Sequence, residues 1–94
     1  MEVAGYEWDE VKNRRNINLR DLSFSLAPRR FDGEVIDVID GRHDYGEERR
    51  IAVGIAGGVL LACVYTNRGN VRRIISLRQA NRKERDGYRK TYPG

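Results

Sequence analysis

Arginine is the residue type whose placement first points to chemistry. Arg68, Arg72, Arg73 and Arg78 fall within eleven residues, and Arg82, Lys83 and Arg85 follow closely. A guanidinium presents a planar fork of donors that grips two phosphate oxygens at once, which the point charge of lysine does not. Residues 66–94 hold nine Lys or Arg against two Asp or Glu, whereas residues 1–65 hold nine against twelve. The net charge of +4 is therefore +7 at one end and −3 over the rest. Basic charge gathered in this way is the footprint of a polyanion binder. A solvated basic helix with a basic tail has the same composition, so charge alone leaves both readings open.

Other reactive groups are sparse. His43 is the only histidine, and an ordinary pKa near 6.5 suits proton transfer. It stands in the polar segment 41–48, where a merely solvated ring is the alternative. Cys63 lies inside the apolar run 59–65 and reads as a small core residue. One thiol cannot form an internal disulfide, which fits a reducing compartment. A single His and a single Cys argue against a zinc site. No phosphate-cradling loop or dinucleotide fingerprint is present, so no cofactor is expected. No apolar run approaches the ~18–20 residues of a membrane span. Met1-Glu2-Val3-Ala4-Gly5 lacks the basic-then-apolar order of a secretion signal, so the expected location is cytoplasmic, without a membrane partner.

The elements that must position these groups can be read along the chain. Asp9 is a cap for a helix running to about Arg20, with Val11, Ile17 and Leu19 as its narrow apolar stripe and Trp8 stapling its start. Ser23 caps a second helix over 24–31, short or bent because Pro28 lies past its first turn. Residues 34–40, 50–55, 59–66 and 71–77 read as strands separated by turn signals, with Gly57-Gly58 the clearest hairpin. Asn81 followed by Glu84 has the spacing of a capping box and opens a last helix to about Arg89. The expectation is an α+β fold: about four antiparallel strands, two N-terminal helices and one C-terminal helix. Ninety-four residues bury about 60–65% of their unfolded surface, enough for one domain over 1–94 with a short tail from about residue 90.

Several short stretches then take on meaning together. Tyr6-Glu7-Trp8-Asp9, Asn16, Ser23-Phe24, Phe31-Asp32, Glu48-Arg49 and Ile51-Ala52-Val53-Gly54 come in that order. Val64-Tyr65-Thr66-Asn67-Arg68-Gly69, Arg73-Ile74-Ile75-Ser76, Arg78-Gln79-Ala80 and Glu84-Arg85-Asp86-Gly87-Tyr88 follow. In order and spacing this resembles the BrnT family across residues 6 to 88. The resemblance implies a RelE-like fold and a ribonuclease toxin of a type II toxin–antitoxin pair. It implies an RNA substrate, a BrnA-type ribbon-helix-helix antitoxin as partner, and contact with operator DNA only through that antitoxin. One step departs: where the family carries Lys-His-Gly before its second helix, this chain reads Leu19-Arg20-Asp21.

Metal-free RNA cleavage needs a base for the 2′-hydroxyl, positive donors for the phosphorane, and an acid for the leaving 5′-oxygen. For a toxin of this kind, Arg68 with Arg78 is the favoured phosphate-binding pair. Strand alternation places Arg72, Ile74, Ser76 and Arg78 on one face and Arg73, Ile75 and Leu77 on the other. Arg73 joins the site only if the chain turns after Leu77. Glu48 is the first choice of base, with an ion pair to Arg49 or Arg78 as its structural alternative. Tyr65 can donate a proton or stack on a base, or simply pack. Arg72, Arg82, Lys83 and Arg85 are the expected RNA-binding residues. Trp8 reads as an anchor of the core. Two competing readings stand beside the enzyme: a catalytically degenerate binding module, and a single-stranded RNA binder without cleavage.

Overall fold

The computed structural model describes residues 5–30 (without the side chains of 29 and 30), 34–41 and 46–93. His43 and the pair Phe31-Asp32 lie outside the described residues. The elements are β1 (Gly5–Trp8), α1 (Glu10–Arg20), α2 (Leu26–Arg30), β2 (Val35–Ile39), β3 (Arg49–Ala56), β4 (Val59–Arg68), β5 (Val71–Gln79) and α3 (Arg82–Thr91).

The sheet order is β1-β5-β4-β3-β2, and β1 runs parallel to β5 while every other neighbour pair is antiparallel. The sheet is thus five-stranded and mixed, not a four-stranded antiparallel sheet. The expected meander is present, with β2 on one edge. The added strand is four residues long and meets a partner more than sixty residues away. Neither its length nor its local pattern separates it from an ordinary approach to a helix.

Turn chemistry fixes the hairpins. Gly57 and Gly58 both take positive φ, 58° and 82°, as a two-residue hairpin turn requires. The next turn tightens to Gly69-Asn70, so β4 continues through Arg68.

Strict alternation fails once, and the failure matters. Val64 pairs with Ser76 but Tyr65 pairs with Ile74, leaving Ile75 as a β-bulge. Ile74 and Leu77, three residues apart, consequently join one core cluster. Arg72 shares their face. Arg73 and Arg78 share the opposite one, which corrects the alternation expected without a bulge.

Each face of the sheet carries its own core. Phe24, Ala27, Ala52, Leu61, Cys63, Tyr65, Ile74 and Leu77 form the larger, beneath α1 and α2, with Trp8 meeting Phe24 edge-on at 6.5 Å. Val53, Ala62, Ala80 and Tyr88 form the smaller, beneath α3. Burying Phe24 alone is worth about 1.5–3 kcal/mol.

The first helix docks through polar groups. Asp9 caps it as expected, accepting from the Val11 and Lys12 amides at 2.9 and 3.3 Å. Its expected apolar stripe is not what it buries: Val11 is 67% and Leu19 74% exposed. The buried residues are Asn13 and Asn16. Asn13 Oδ1 accepts from the Phe24 amide at 2.8 Å. Asn16 Nδ2 donates to the carbonyls of Leu22 and Leu77 at 2.8 and 2.9 Å, and Asn16 Oδ1 accepts from Arg20 at 2.8 Å. These amides tie α1 both to the segment after it and to β5. The helix ends at Asp21, which sits at φ 57°, ψ 35°.

The second helix begins at Leu26, two residues later than Ser23 and Phe24 suggest. Pro28 therefore falls in the first turn, where its missing N–H has no helical partner to lose. The capping box of α3 is present: Glu84 N donates to Asn81 Oδ1, and Asn81 N donates to Glu84 Oε1, both at 2.8 Å. No helix among the described residues is long and apolar enough to cross a membrane.

Candidate active site

The face of the sheet beneath α1 and α2 is covered at one end and open at the other. At the open end the strand register brings a polar group together. Tyr6 lies opposite Arg72 across β1 and β5, and Tyr65 opposite Arg50 across β4 and β3. Asp37 on β2 lies opposite Ala52, two residues along β3 from Arg50. Period-two alternation places all five on this face.

Tyr65 is the centre of the group. Only 1% of the residue is exposed, and its hydroxyl donates to Asp37 Oδ2. Arg50 Nε donates to the other oxygen of the same carboxylate at 3.1 Å. Arg72 lies over the Tyr65 ring, its guanidinium carbon 4.3 Å from the ring centroid. Apart from a 3.4 Å contact from Nε to Asn67 Oδ1, the Arg72 guanidinium makes no side-chain hydrogen bond among the described residues. Arg72 lines a cavity of about 310 Å³ together with Tyr6, Asp37, Tyr65, Ala52, Cys63 and Ile74.

The electrostatics follow from that geometry. Burial pushes the Tyr65 hydroxyl up to about 12, and its hydrogen bond to Asp37 adds to the rise. The phenol is therefore a neutral donor at physiological pH. The Asp37 carboxylate raises Arg50 above its ordinary value, chiefly through their hydrogen bond. Desolvation raises the Cys63 thiol to about 12, which removes it as a nucleophile and fits its place in the core.

The other expected site residues are scattered. Arg78 forms a two-pronged pair with Glu84 at 2.7 and 3.0 Å, and Glu84 is also the capping-box carboxylate of α3. Arg68, at the far end of β4, pairs loosely with Glu47 at 3.6 Å. Arg78 lies opposite Ala62, six residues from Arg68 along the strand, which separates the favoured pair by roughly 20 Å. The structure does not bring them together. Arg73 pairs with Glu7 at 3.5 Å on the α3 face. Glu48 pairs with Arg50 at 3.7 Å, a neighbour different from the two expected, and its carboxylate is largely in solvent. Arg82 and Lys83 are exposed on α3, and Arg85 Nη1 donates to the Ala80 carbonyl at 2.8 Å. Of the expected residues, only Tyr65 and Arg72 stand in the cluster itself, with Glu48 at its edge.

Asp37, Arg50 and Tyr6 escape a reading by residue type. The usable signal is Asp37: a carboxylate in the middle of Val35-Ile36-Asp37-Val38-Ile39, on the alternation face of Val35, is costly unless something meets it.

A family model described as the ribonuclease toxin BrnT of type II toxin–antitoxin systems matches residues 8–84. The crystal structure of the Brucella abortus ribonuclease toxin BrnT superposes with a TM-score of 0.63 at 25% identity, covering 83% of this chain and 97% of that one. A search of curated proteins gives no match.

Proposed function

Because the chain belongs to the BrnT family of ribonuclease toxins of type II toxin–antitoxin systems, we propose that it is a metal-independent endoribonuclease centred on Tyr65, Asp37, Arg50 and Arg72. The observation that carries this centre is a buried tyrosine whose hydroxyl bonds a carboxylate, beside an arginine that lines the same cavity.

Each group has a role that its surroundings suit. Arg72 binds the scissile phosphate and meets the charge that builds on the phosphorane. Asp37 takes the proton of the 2′-hydroxyl as the O2′–P bond forms. Tyr65 gives its proton to the 5′-oxygen as the P–O5′ bond breaks. The proton gained by Asp37 then returns to Tyr65 along the hydrogen bond they already share, restoring both. The products are a 2′,3′-cyclic phosphate and a 5′-hydroxyl. Arg50 orients Asp37 and is a positioning residue. Arg68 and Glu48 stand near this end of the sheet, where they extend the positive and negative rims. An antitoxin of the BrnA type is the partner, and a segment of it that covers this end should be acidic or apolar.

The departure at Leu19-Arg20-Asp21 leaves this centre intact, since none of the three lines the cavity and Arg20 bonds Asn16 in the last turn of α1. That observation favours an active enzyme over a degenerate binding module.

The test is cleavage of a single-stranded RNA by the purified chain in chelator, with product ends identified. Wild type should cut and leave 5′-hydroxyl ends. Removing the acid in Tyr65→Phe should cost about 10²–10⁴ in rate, and removing the phosphate ligand in Arg72→Ala about 10²–10³. Strict magnesium dependence, or full activity in both variants, overturns the proposal.

A further inference from the structure

Only some cations of this chain have a charged partner, and Arg72 and the cations of α3 meet no carboxylate within 4 Å among the described residues. On the sheet, Arg50, Arg68, Arg73 and Arg78 each meet a carboxylate within 4 Å. On α1, Lys12 and Arg15 meet none among the described residues, and Arg20 bonds only the neutral amide of Asn16. The nearby acid Glu10 is occupied by neutral donors, Trp8 Nε1 and Asn13 Nδ2, each at 3.2 Å. Lys12, Arg15 and Arg20 line one groove of about 240 Å³, closed on its far side by Phe24, Ile75 and Ser76.

Such a groove has an amphipathic character. Lys12, Arg15 and Arg20, without a carboxylate partner among the described residues, stand on the α1 side with Leu19, and Phe24 and the Ile75-Ser76 stretch of β5 bound the other side. The groove meets β5 about four residues beyond Arg72, which is roughly 13 Å along the strand. It lies on the other flank of the 24–28 segment from the Tyr65 cavity: Phe24 lines the groove, while Ala27 and Pro28 line the cavity. A flexible polyanion seated at Arg72 and continuing along β5 meets the groove next.

We propose that the groove between α1 and β5 is a second binding site, which holds the phosphate backbone of single-stranded RNA through Lys12, Arg15 and Arg20, outside the cleavage centre. This rests on the ribonuclease reading above. It differs from the sequence-based expectation, which places RNA binding in the basic C-terminal third. It also gives Arg20 a use: at that position a long cation at the end of a helix reaches the groove.

The experiment measures binding of a labelled 2′-O-methyl RNA oligonucleotide, which cannot be cleaved, by fluorescence anisotropy over a range of salt. Charge reversal in Lys12→Glu/Arg15→Glu should weaken binding at least tenfold. The dependence of log affinity on log salt should flatten by about 1.4, the share of two lost contacts to a single strand. Arg89→Glu/Lys90→Glu on α3 makes the same change in net charge at exposed positions and should move affinity by less than threefold. Equal effects from the two pairs would mean a diffuse field and overturn the proposal, as would an unchanged slope in the α1 pair with folding confirmed by circular dichroism. Because the probe is inert, absence of cleavage of unmodified RNA by wild type would sink the nuclease reading separately.

Discussion

Asn16 is only 4% exposed and holds three elements with one side chain. Substituting leucine keeps its length and removes both donors. The carbonyls of Leu22 and Leu77 then lose their partners, and each buried orphan costs about 1–3 kcal/mol. Part of that returns as apolar contact, so Asn16→Leu should destabilise by about 2–4 kcal/mol. For a chain of this size that lowers Tm by roughly 10–25 °C. Thermal unfolding followed by circular dichroism reads it directly, with urea denaturation as a second measure. The matching control is Leu19→Asn at an exposed position, which should stay within about 0.5 kcal/mol. The reasoning predicts an inverted ranking: on α1 the polar residue matters and the large apolar one does not. A loss below about 1 kcal/mol for Asn16→Leu, or a larger loss for Leu19→Asn, would refute the claim that amide hydrogen bonds dock this helix.

Three further outcomes are expected. Asp21 holds a left-handed backbone at φ 57°, so Asp21→Gly should raise stability by about 0.5–1 kcal/mol in the same melt. Tyr65 binds its proton more tightly folded than unfolded, so its contribution is complete below pH 10 and is lost as pH rises toward 12. Tyr65→Phe should flatten that alkaline fall, on the order of 2–3 kcal/mol, leaving a residue from Cys63, which is raised in the same sense. Arg78→Ala breaks the pair with Glu84 and should cost about 1–3 kcal/mol of stability, while cleavage per folded molecule stays within a few-fold, as measured by initial rates on active protein.

Local signals carried the parts of this fold that are local. Asp9, Gly57-Gly58 and the Asn81–Glu84 box each specify a turn or cap within a few residues, and each is where its pattern places it. The parallel strand is not local: Gly5–Trp8 becomes a strand only because β5 offers an edge. The bulge at Ile75 is invisible to period-two counting, yet it decides which face Arg73 and Arg78 occupy. Hydrophobic periodicity also misjudged α1, because its buried stripe is written in asparagine. At the candidate site, residue type found Tyr65 and Arg72. It gave Arg68 and Arg78 equal rank because a sequence does not show that Glu84 already occupies Arg78. Asp37 and Arg50 join the cluster through strand register alone.

The pairing of β1 with β5 also sets an order of events during synthesis. Tyr6 and Arg72, opposite each other in that ladder, are 66 residues apart in the chain. At about 5–20 residues per second, several seconds separate their emergence from a ribosome. Until the second of them is out, the cavity lacks a wall and β1 has no edge to join. A chain still short of residue 72 thus has neither its full sheet nor its full cavity. Translation interrupted before that point leaves fragments without the β1–β5 ladder. The antitoxin partner that a toxin of this family implies has that whole interval in which to meet the chain before its sheet is complete.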